Sequence, residues 1–105
     1  MTNDRWLAGR IEHAPPQLRA AMLAAVADVQ ADLQLHDRLA EAAARCLQRA
    51  VRAQIHRECA LDLLTADALL THAAEAAAEA GSDTLAAFAA QWNAQRFDSI
   101  LQSAT

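Results

Sequence analysis

Between Gln17 and Ala80 the chain has no glycine and no proline. The two strongest helix breakers are missing from a run in which about every third residue is alanine, the best helix former. Strands joined by tight turns are excluded there, and helix is the expectation throughout. Lysine and tyrosine are absent altogether, and the aromatics are limited to Trp6, Phe88, Trp92 and Phe97. Leucine must therefore carry the core. Alanine lets helices approach closely but contributes little transfer energy when buried. Without lysine, all nine basic residues are arginine, set against 13 acids for a net charge of −4. That balance does not suit a general nucleic-acid binder.

Cysteine is scarce too. Cys46 and Cys59 are too few for a disulfide framework. On one helix they would point about 140° apart and lie about 20 Å apart, so no bridge is expected between them. Two free thiols suit a reducing cytoplasm, the expected location. Met1 to Pro16 contains no apolar h-region, so no signal peptide is expected. The longest apolar run, Ala20 to Ala27, is far short of a membrane span, and no membrane role is expected.

What is present is an all-α pattern, expected to form a single domain over residues 1–105. Thr2 or Asn3 can cap a short first helix with an apolar face of Trp6, Leu7 and Ile11. Ala14-Pro15-Pro16 stops it, and Pro16 fits the first turn of the next helix. From there Leu18, Met22, Ala25, Val29 and Leu33 form a stripe at 3.6-residue spacing. It continues in phase through His36, Ala40, Ala43, Leu47 and Val51. This periodicity predicts one long helix from about Pro16 to about Arg57, roughly 60 Å long. A break at Asp32 to Asp37, with Asp37 as a cap, is the competing arrangement. Asp62 and Thr65 mark a turn between Cys59 and Asp67. A helix from Thr65 to Ala80 follows, and Gly81 ends it in a left-handed C-terminal position. Ser82 caps the last helix, whose stripe is Leu85, Phe88, Ala89, Trp92 and Ile100. The expected architecture is an Ala/Leu-rich helical bundle: one long helix, straight or kinked, with two or three shorter ones.

The back of the long helix changes character midway. Ala20, Ala24, Ala27 and Ala31 lie opposite the leucine stripe, so the first half can be packed on both sides. Further on the same face reads Arg38, Arg45, Arg49, Arg52 and His56, within about 60° on the helical wheel. That half is expected to be open to solvent. Glu41 lies within reach of Arg38 and Arg45 and can pair with either. From Glu58 to Asp83 there are six acids and no base. A solvated charged face is the plain reading of the arginines. Recognition of an acidic protein, or of the acidic helix of a second copy, is the functional one. Phosphate or nucleic-acid binding is the next alternative, weakened by the lack of lysine and of stacking aromatics in the stripe.

His13, His36, His56, His72 and the two cysteines invite a metal reading. No HExxH, ExxH or CxxC spacing supports it, and His56 sits among arginines. No nucleophile has a convincing His and acid partner, and Gly9 and Gly81 cannot build a phosphate-cradling loop. No cofactor, metal or catalytic residue is expected. The sequence predicts a small non-enzymatic interaction or adaptor protein. Homodimerisation is expected because the apolar stripes exceed what one thin bundle covers. The partner-binding residues would be Arg38, Arg45, Arg49, Arg52 and His56. An anion or nucleic-acid regulator, or a small-molecule or metal site inside the bundle, are the alternatives.

Overall fold

The computed structural model describes residues 3–53 and 57–103, with no account of side chains at 3, 4, 57 and 58. Among those residues helix is the sole regular secondary structure, as the composition requires. In order, the helices are α1 (Asn3–Arg10), α2 (Pro16–Ala27), α3 (Leu35–Ala53), α4 (Arg57–Ala80), α5 (Ser82–Gln91) and α6 (Ala94–Ser103). The molecule measures 38 × 32 × 21 Å, so its thinnest direction is about two helix diameters.

Helix α1 has the expected inner face: Leu7 and Ile11 are buried and Trp6 is half-buried. Of its expected caps, Thr2 lies outside the described residues and Asn3 is described in its backbone alone. Pro15 takes the extended conformation of a helix entry, and Pro16 begins α2. Its fixed φ suits that position and its missing N–H leaves no orphan donor.

The single long helix from Pro16 to Arg57 is not formed. Helix α2 ends at Ala27 and α3 begins at Leu35, close to the competing break. Two aspartates, Asp28 and Asp32, weaken helix propensity in the interval. The intervening residues 28–34 amount to about two helical turns on a wheel. The stripe therefore keeps its phase across a break that periodicity cannot detect. Both halves still face inward: Met22, Ala25 and Val29 on one side, Ala40 and Ala43 on the other. The back of α2 is not packed on a second side, because Ala20, Ala24, Ala27 and Ala31 are all exposed.

Helix α3 lies at the centre. Its buried residues cover about two-thirds of its circumference, and most are small: Ala40, Ala42, Ala43, Ala44, Cys46 and Ala50. Small side chains allow α4 to pack closely along it. Around this pair Leu7, Ile11, Met22, Val26, Leu39, Leu69, Phe88 and Trp92 complete the core.

The turn expected between Cys59 and Asp67 is also absent, since α4 runs unbroken from Arg57 to Ala80. Asp62 and Thr65 have other work. The Asp62 carboxylate faces Arg49, and the buried Thr65 hydroxyl donates to the Leu61 carbonyl at 2.7 Å. That bond satisfies a polar group inside a helix without a cap. Gly81 separates α4 from α5, as expected, but at φ 135° and ψ 162°. This is the glycine-only extended region, not the compact left-handed one. Ser82 is the first residue of α5, not its cap. The last helix is divided at Trp92 and Asn93. Asn93 Oδ1 accepts the Arg96 backbone N–H at 3.0 Å, while its amide donates to the Ala90 carbonyl at 3.0 Å. One side chain thus ends α5 and starts α6.

Candidate interaction surface

The five residues of the expected basic face do not share one environment. Arg38 is buried at 7% exposure, which corrects the expectation of an open face along all of α3. Arg45 donates from Nη1 to the Asp28 carbonyl at 3.0 Å, with its Nε 3.6 Å from Glu41. It places a cation at the C-terminal end of α2, where the free carbonyls favour positive charge. Arg49 reaches across to α4 and contacts Asp62 at 3.4 Å. Arg52 is exposed and enters no ion pair among the described residues. His56 lies outside the described residues.

The acidic segment is likewise consumed in part by the fold. Arg10 bridges Glu75, at 3.1 Å, and Glu79. Its guanidinium lies 4.7 Å from the Trp6 ring, whose Nε1 donates to Glu79 at 3.4 Å. His72 packs edge-on to Trp6, with Nδ1 2.6 Å from Glu75. Helix α1 is thereby tied to α4 by charge, while Leu7 and Ile11 enter the common core. Glu41, expected to pair with Arg38 or Arg45, lies 3.6 Å from Arg45 and 3.9 Å from Arg96. Arg96 in turn stacks 3.9 Å over the Trp92 ring and secures α6. Asp67 and Asp83 stay exposed and outside any ion pair among the described residues.

Both cysteines are free, but they lie on successive helices and not on one. Cys46 accepts from Arg49 Nη2 at 3.2 Å. Burial pushes its thiol above the ordinary value, and the nearby Arg49 cation opposes that rise. Cys59 donates to the Ala50 carbonyl at 3.2 Å. Among the described residues no three of His, Cys, Asp and Glu gather in a way that could hold a metal ion. Nor is any helix there long and apolar enough to cross a membrane.

The feature that sequence reasoning missed is an open apolar cleft of about 310 Å³ where α3, α4 and α6 meet. Ala43 and Leu47 form one wall, Leu63, Ala66 and Leu70 the other, with Phe97 at one end and Asp67 on the rim. A second hollow of about 270 Å³, lined by Ala50, Val51, Cys59 and Leu63, continues it. Leu63 is common to both and is 46% exposed. The assumed turn at Cys59 to Asp67 hid this surface. Reading Cys59, Leu63, Ala66 and Leu70 as one helical row at 4-3-4 spacing would have revealed it. Comparison with protein-family models, with curated proteins and with solved structures yields no match.

Proposed function

We propose that this chain is a small non-enzymatic interaction protein that works as a homodimer and offers a basic surface to an acidic partner. The open apolar cleft carries the reading. A two-layer bundle leaves Leu47, Leu63, Leu70 and Phe97 beside one another at the surface, with Leu64 also 58% exposed. Contiguous apolar surface of this kind is removed from water most readily by a second protein surface. The basic surface is narrower than the sequence suggested and comprises Arg45, Arg49 and Arg52. Glu41 and Asp62 neutralise part of it, which favours a protein surface with mixed charge over a polyanion such as nucleic acid. The test is the mass in solution. Light scattering is expected to report about twice 11.3 kDa at micromolar concentration. A monomer mass across a hundredfold dilution series overturns the homodimer.

A further inference from the structure

A third hollow, of about 340 Å³, lies between the start of α3 and α5 and shares no residue with the apolar cleft. Its lining is of a different kind. Asp37 and Asp83 supply one carboxylate from each helix, Gln34 and Gln91 supply carboxamides, and no arginine contributes. Phe88, buried at 7% exposure, gives it an apolar floor. His36 opens onto it as well. Its ring stands edge-on to Phe88 with centroids 6.1 Å apart, and only 11% of the side chain is exposed. Nε2 is 3.6 Å from the Asp37 carboxylate, too far for a hydrogen bond. The ring nitrogens make no hydrogen bond among the described residues. A nearly buried side chain in that condition leaves its polar atoms to whatever enters the hollow.

Acceptors dominate this lining, and Asp83 enters no ion pair among the described residues. A carboxylate in the first turn of a helix is ordinary by itself. Two of them on opposite walls of one hollow, with an unsatisfied imidazole, call for an occupant that brings N–H donors and positive charge. His36, Asp37 and Asp83 do not gather in a way that could hold a metal ion. An organic cation can reach groups set further apart. A guanidinium suits best, because its N–H donors spread in one plane and can serve carboxylates on two walls at once. The volume falls at the lower end of small-molecule sites, roughly 300 to 1,000 Å³.

We infer that this hollow binds a small guanidinium-bearing molecule, its cation shared between Asp37 and Asp83 and its alkyl part against Phe88. The site goes beyond the homodimer reading and uses none of the cleft's residues, so the mass in solution leaves it untouched. The experiment titrates the isotope-labelled full chain with butylguanidinium and follows the backbone amide resonances. Saturable shifts are expected at residues 34–38 and 83–91. Butylurea, a neutral molecule of the same shape, is expected to leave those resonances in place. Asp37→Asn and Asp83→Asn are each expected to weaken binding about fivefold or more, because a charge-assisted contact is lost. Asp67→Asn removes a carboxylate outside the hollow and is expected to bind like the parent. That variant separates the site from general attraction to a chain of net charge −4. None of the three carboxylates is buried, and the amide spectrum itself reports that each variant folds. Shifts that do not saturate, that butylurea reproduces, or that persist at parental strength in both hollow variants overturn the site. Equal weakening by Asp67→Asn overturns it too.

Discussion

Gly81 and Gly9 are the only glycines, and the structure separates their roles. Gly81 sits at φ 135°, a conformation that a side chain disfavours, although nothing lies within 4 Å of where its Cβ would be. The cost of Gly81→Ala is therefore backbone strain and not a clash. Gly9 lies inside α1, also with open space around its Cβ position. There alanine removes unfolded-state freedom and improves helix propensity. Urea unfolding is expected to show Gly81→Ala losing about 1 to 3 kcal/mol. Gly9→Ala should gain about 0.5 to 1 kcal/mol. Equal effects at the two positions would contradict the conformation assigned to Gly81. The sequence marked Gly81 as the end of a helix, but could not say that the same residue also opens the next one.

At the scale of elements, α3 and α4 differ in how much of their surface the bundle uses. The centre of α3 is surrounded, and Leu39 is fully buried. Leu39→Ala is expected to cost about 2 to 5 kcal/mol, since close-packed neighbours cannot fill the space left. Leu47, on the stripe read from the sequence, is only half-buried because it lines the cleft. Its truncation should cost the monomer less than Leu39→Ala, and thermal melting under dilute conditions checks the order. A larger loss at Leu47 would mean that the cleft wall, not the centre of α3, holds the bundle. The break between α2 and α3 belongs to this scale too. Residues 28–34 preserve the stripe's phase, so the hydrophobic period is the same for one long helix and for two. Packing of α2 back across α3 and α4 decides between them, with Arg45 holding the end of α2.

For the whole molecule, charge segregation along the chain becomes a set of internal ties. Arg10 spans to Glu75 and Glu79, Arg49 to Asp62, and Arg96 to Glu41. These contacts are half-exposed and individually weak, but they join different helices. Replacing Arg45, Arg49 and Arg52 together by glutamine is expected to lower the melting temperature by a few degrees, because two of the three tie helices together. It should also abolish attraction to an acidic polypeptide such as polyglutamate, an attraction that added salt weakens in the parent. Binding retained at full strength in the triple variant would leave these arginines with structural roles alone.

By itself the sequence determined that the chain is helical, that Pro15 and Pro16 separate the first two helices, and that α4 stops at Gly81. It also placed Leu7, Ile11, Met22, Ala40, Ala43, Phe88 and Trp92 on inward faces, where all are buried, whereas Leu85 and Ala89 of the expected last stripe are exposed. These follow from local backbone chemistry and from a period that each helix carries within itself. Only the tertiary structure decided where the helices break without a glycine or proline. It also decided which arginines stay at the surface. Arg38 and Arg52 have the same chemistry and nearly the same angular position on α3, yet one is buried and the other exposed. The difference lies in which neighbouring helices reach each end of α3, a matter of packing between segments distant in sequence. The open cleft has the same origin. Its apolar row is written in α4, but its exposure depends on how little of that row α3 and α6 cover.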